Sequence, residues 1–165
     1  MTFDKFTIKA QEAIQEAVNL VQARGQQAIE PEHLLAGILK VGENVTNFLF
    51  QKLGVNSRQI EQVLESQIAS LPKVQGGEPY LSRESNEVLT RAQDYASKGG
   101  DEFVSLEPML LALLNVKSTA SRILKDAGIT LDLPFYIDYE DPWILKNNHS
   151  TYDSCTDAVR SGMVA

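Results

Sequence analysis

Residues 29–39, IEPEHLLAGIL, are echoed 75 residues later by residues 104–114, VSLEPMLLALL. Leu34, Leu35, Ile38 and Leu39 fall on Met109, Leu110, Leu113 and Leu114, and both sets follow the spacing of an apolar helical stripe. Pro31 suits the first position of such a helix, because its φ is fixed and it has no N–H to leave unpaired. Glu32 and Glu107 both fall in the first turn, where a carboxylate faces the positive end of the helix dipole. Similarity at a fixed offset is the mark of an internal repeat, and the flanking residues test that reading.

Upstream, Ala13, Ile14, Ala17, Leu20 and Val21 shift by 75 onto Val88, Leu89, Ala92, Tyr95 and Ala96, a second amphipathic helix written twice. Thr7 maps onto Ser82, each offering a hydroxyl to an unpaired N–H of the first turn. Gly25 maps onto Gly100, just past the end of each helix, where a left-handed cap is commonly required. Downstream, Thr46, Leu49, Phe50 and Leu53 answer to Ala120, Ile123, Leu124 and Ala127 at an offset of 74, so the connector has lost one residue. Gly54-Val55 and Gly128-Ile129 close these third helices alike.

The first copy continues after Asn56 into a fourth helix with Ile60, Val63, Leu64 and Ile68 on one face. In the second copy, Pro134 stands where Ile60 stood, and the text FYIDYEDPWILKNNHSTYDSC has neither helical period nor strand alternation. The fold expected is all-α: two pseudo-symmetric tandem four-helix repeats, residues 1–69 and 80–129, joined by the Pro- and Gly-rich linker 70–79. The last helix of repeat two is expected to be replaced by an irregular tail, residues 130–165. That tail holds five of the 12 aromatic residues and, with six acidic against two basic side chains, four of the seven net negative charges. It reads either as an extension foreign to the domain, from a shifted frame or a vector, or as a divergent natural end; the break in pattern favours the first.

Composition narrows the function. With 15 basic against 22 acidic residues and no Lys/Arg cluster, attraction to a phosphate backbone has no source, so nucleic-acid binding is not expected. No run of 18 apolar residues and no secretory leader pattern is present, which favours a soluble, cytoplasmic protein without membrane contact. Cys155 stands alone and reads as a spare thiol. His33 has Ala36 and Gly37 at i+3 and i+4, so it reads as a satisfied helix-terminal histidine rather than a metal ligand, and His149 is isolated. There is no G-x-x-x-x-G-K-[ST] loop and no G-x-S-x-G motif, so neither cofactor nor catalysis is expected of this chain. Glu61, Glu65, Arg83, Glu84 and Glu87 fall on outer helix faces and call for no function.

The segments FTIKAQEAIQEAV and IEPEHLLAGIL, with LPKVQGGEPYLSRESNEVL, GGDEFVSLEPMLLALL and ILKDAGI, resemble the Clp N-terminal repeat domain over residues 1 to 129. Within that family the opening FT-K-QEAI and the stretch GDEF-S-E are most similar to the ClpB type, the disaggregases. The resemblance implies a compact helical domain tethered ahead of AAA+ ATPase modules, itself monomeric within a hexameric parent, that receives misfolded or aggregated polypeptide. It also implies that Thr7, Asp101 and Glu107 support that work from one polar face. The N-domains of protease-linked Clp ATPases, which dock adaptor proteins, are the alternative within the same fold. An excised or truncated domain is the simplest reading of the whole chain.

A client-binding domain keeps some apolar surface unburied, and the places where the copies differ are candidates. Tyr95 replaces Leu20, Phe103 replaces Ala28 and Met109 replaces Leu34, larger or more flexible side chains suited to a promiscuous groove at the repeat junction. The expected substrate-binding residues are therefore Tyr95, Met109, Phe103, Thr7, Asp101 and Glu107, with Ile8 and Leu81 able to rim the groove; ordinary core packing is the alternative for Tyr95, Phe103 and Met109, and capping or turn formation for Thr7, Asp101 and Glu107.

Overall fold

A computed structural model describes residues 3–129 and, in backbone, residues 135–137 and 145–147. Among the described residues the helices are α1 (Ile8–Ala23), α2 (Pro31–Val41), α3 (Glu43–Lys52), α4 (Ser57–Ala69), α5 (Arg83–Lys98), α6 (Leu106–Asn115) and α7 (Thr119–Asp126). Their starts follow local chemistry. The Thr7 hydroxyl accepts from the Ala10 N–H, Asn56 from Arg58, Ser82 from Ser85 and Ser118 from Ser121. Gly25 and Gly100 take φ of +67° and +85°, and the next residue donates back into the helix in both copies: Gln26 to the Val21 carbonyl at 2.9 Å, Asp101 to that of Ala96 at 2.8 Å.

The duplicated stretch forms the centre. Every residue of α6 from Pro108 to Leu114 is buried, as are Leu34, Leu35, Gly37, Ile38 and Leu39 of α2. Helices apolar on all sides belong inside, and α1, α4, α5 and α7 cover them with one apolar stripe each. Helix α2 approaches α1 so closely that a Cβ on Gly37 would overlap the Ala13 carbonyl oxygen. The second copy has Val88 and Ala112 at the matching positions, both fully buried.

The repeats are joined by an exchange. Short strand β1 (Ala28–Ile29) pairs in parallel with β2 (Tyr80–Leu81), Ile29 opposite Leu81. A second parallel bridge joins Phe6 to Val104. Since 29 + 75 = 104 and 6 + 75 = 81, the two junctions are the same pairing made twice about a pseudo-twofold axis. In each, the segment entering one repeat's second helix pairs with the segment entering the other's first. The Ser85 hydroxyl adds a bond to the Ile29 carbonyl at 2.6 Å.

The structure departs from three expectations. Val63 is 42% exposed, because the stripe of α4 that faces the core is Ile60, Leu64 and Ile68 alone. Leu81 is buried by its pairing with Ile29 and rims no groove. The segments Phe135–Ile137 and Leu145–Asn147 pair as antiparallel strands, β3 and β4, where no strand was expected. The chain divides into two compact units, residues 1–129 and 130–165. The remaining expectations about the tail, including Pro134, His149 and Cys155, lie outside the described residues.

Candidate binding face

The Phe6–Val104 junction organises the candidate residues. The Val104 N–H donates to the Lys5 carbonyl at 2.7 Å, and the Thr7 N–H donates to the Val104 carbonyl at 2.9 Å. Side chains alternate across an extended pair, so buried Phe6 and Val104 face the core while Lys5, Thr7, Phe103 and Ser105 face outward. Phe103 is accordingly 46% exposed. Ile8, at the first position of α1, is 76% exposed, an unusual setting for a large aliphatic side chain.

Thr7 is thus bonded to Val104, the neighbour of Phe103 in the chain, with Asp101 three residues before Val104 and Glu107 three residues after it. Asp101, half-buried, follows the left-handed Gly100; Glu107, half-buried, lies in the first turn of α6. Tyr95, half-buried, stands in the last turn of α5, one residue before Ala96, whose carbonyl accepts from the Asp101 N–H. Met109 is fully buried, and so cannot line a surface groove: it occupies the same inward position as Leu34, and its flexible thioether fills core space.

The Ile29–Leu81 junction carries other chemistry on the same frame. Tyr80 (52% exposed) replaces Lys5, Arg83 replaces Ile8, and Ala28 replaces Phe103. Behind it lies a buried polar network. His33, 1% exposed, accepts at Nδ1 from the Glu30 N–H at 3.0 Å, which leaves Nε2 to donate to Gln26 Oε1 at 2.7 Å. Gln26 in turn donates to the Ile68 carbonyl at 2.7 Å, tying α2 to the end of α4. Burial, with the Arg24 charge, lowers the His33 pKa to about 4. Burial first, then the charge of Glu84, raises that of Glu30; burial, then the charge of Glu30, raises that of Glu32. Hydrogen bonds from backbone N–H groups, Ala120 of α7 among them, partly offset the rise at Glu32.

Among the described residues no cluster of His, Cys, Asp and Glu fits a metal ion, and no helix is long and apolar enough to cross a membrane. Two surface clefts lie on repeat one and touch none of the predicted site residues. They were missed in the sequence; the available signal was Glu61 and Glu65 at i, i+4 beside the Leu64 stripe.

Two helical repeats interlocked by reciprocal strand pairing, one junction carrying Ile8 and Phe103 and the other Tyr80 and Arg83 at its surface, define a pseudo-twofold, tandem-repeat helical domain. The chain belongs to the Clp repeat (R) N-terminal domain family, whose model matches residues 5–127. It is 72% identical over 130 residues to the chaperone protein ClpB of Bacteroides thetaiotaomicron, covering 79% of this chain and 15% of that protein's length. The fold matches the Hsp104 N-terminal domain from Candida albicans with a TM-score of 0.70 at 23% identity, over 77% of this chain and 84% of that one. It also matches a ClpV N-domain solved in complex with a VipB peptide, with a TM-score of 0.63 at 18% identity, over 76% and 81% of the two chains.

Proposed function

We propose that this domain binds misfolded or aggregated polypeptide for a ClpB-type disaggregase in the cytoplasm, through the outward face of the Phe6–Val104 junction, and helps deliver it to AAA+ modules. The observation that carries the reading is the pair Ile8 and Phe103, 76% and 46% exposed, brought to one rigid junction and edged by Thr7, Asp101 and Glu107. Exposed apolar side chains on a fixed frame take short apolar segments from many chains, while polar neighbours keep the face hydrated. Family membership and the ClpB relative support this assignment. Adaptor docking is a second reading, favoured by the ClpV N-domain of the same fold that holds a defined peptide.

The test is residue-resolved. Titrating an isotope-labelled chain with a permanently unfolded model polypeptide is expected to shift the amide signals of residues 5–8 and 101–107 first. Shifts confined to other surfaces would refute the assignment. Saturable binding of a folded adaptor, with no response to the unfolded chain, would favour the second reading.

A further inference from the structure

We propose that repeat one carries a separate docking site for cationic, apolar polypeptide segments, in the groove that α1, α2 and α4 form. Two clefts of about 330 and 350 Å³ share Ala36, Lys40 and Glu65, so they run into one another along α2. Ala36, Leu39, Leu64 and Ile68 line the first, and Leu20 and Ala23 extend the apolar lining toward α1 in the second. An elongated, open groove of this kind fits side chains of a passing polypeptide better than an enclosed small molecule.

Charge selects the occupant. Glu16, Glu43, Glu61 and Glu65 stand around the two clefts against one cation, Lys40. Lys40 is already engaged with Glu16 at 2.8 Å, and Glu65 is paired with Arg24 of α1. Glu43 and Glu61 have no ion-pair partner among the described residues, and both are exposed. A segment whose apolar side chains enter the clefts would therefore be held best if lysine or arginine flanked them, and an acidic segment would be repelled. None of the lining residues belongs to the Ile8–Phe103 face, so the domain would present two surfaces of different selectivity. The apolar face takes neutral segments and the acidic groove takes basic ones.

The experiment uses the full 165-residue chain and two short fluorescein-labelled peptides, one in which leucines alternate with lysines and one with serine for every lysine. Binding is followed by fluorescence anisotropy at low and high salt. Glu43→Gln with Glu61→Gln is expected to weaken the lysine peptide about three- to tenfold at low salt and to leave the serine peptide unchanged. Glu61→Lys is expected to weaken it further. Ile8→Ser with Phe103→Ser is expected to leave the lysine peptide bound, whatever it does to the serine peptide. All three variants change exposed side chains, so circular dichroism should confirm an intact helical fold. Undiminished lysine-peptide binding in both glutamate variants, or its loss in the Ile8/Phe103 variant, would overturn the proposal without deciding the function of the junction face.

Discussion

His33 shows what one buried side chain sets for the domain. Held neutral by burial, with a pKa of about 4 in place of the ordinary 6.5, it joins the start of α2 to Gln26 and the end of α4. The unfolded chain takes up this proton near pH 6.5 and the folded chain does not, so acid favours unfolding. The stability that His33 contributes is fully present above pH 6.5 and is lost as pH falls from there toward 4, with an upper limit of about 3 kcal/mol. Glu30 and Glu32 act with the opposite sign. Their raised folded-state pKa values mean that protonation above the ordinary carboxylate value of 4.5 relieves the folded state. Urea midpoints for wild type and His33→Gln separate the two: the wild-type advantage is expected to shrink between pH 7 and pH 5, and a constant advantage would contradict the buried neutral imidazole. Met109 gives a second prediction. As a fully buried core residue its change to Ala is expected to cost about 2–5 kcal/mol and to lower the melting temperature, with no specific effect on binding by the protein that remains folded.

At the scale of elements, much of the fold was legible because local signals agreed with one another. Thr7, Asn56 and Ser82 cap the helices they precede, and Gly25, Gly54, Gly100 and Gly128 all take positive φ at the ends predicted for them. The parallel pairings were not legible. Two-residue strands leave no alternation to read, and their partners lie 52 and 98 residues apart in the chain (81 − 29 and 104 − 6). The site suffered for the same reason. Met109 and Tyr95 differ from their counterparts in the other copy, yet sequence difference does not reveal which way a helix face points. Met109 points to the core. Ile8 looked like a rim residue in sequence, and only the Phe6–Val104 bridge sets it next to the segment of Phe103. The crossing of α1 and α2 supports a further prediction. Gly37→Ala improves helix propensity by about 1 kcal/mol but places a methyl group against the Ala13 carbonyl, so the net effect expected is a loss of about 1–3 kcal/mol by thermal melting. The reciprocal change, Ala112→Gly in the copy that already accommodates a methyl, should cost about 1 kcal/mol, chiefly through propensity.

At the scale of the whole domain, duplication separates stability from recognition. The core helices α2 and α6 and the two strand pairings lock repeats one and two into a single frame, so one cooperative unfolding transition is expected for residues 1–129. Two denaturant midpoints, one for each repeat, would contradict it. On that frame one junction diverged toward Ile8 and Phe103 and the other toward Arg83 and Ala28. The most direct measurement therefore removes the two exposed apolar side chains that set the Phe6–Val104 junction apart. Ile8→Arg with Phe103→Ala gives this junction the residues its twin has at those two places, at exposed positions where the cost in stability should stay within about 0.5 kcal/mol for each change. Affinity for an unfolded, uncharged model polypeptide, measured by anisotropy beside a thermal melt, is expected to fall at least about tenfold while the melting temperature holds. Unchanged affinity in that variant, with the fold intact, would contradict the account.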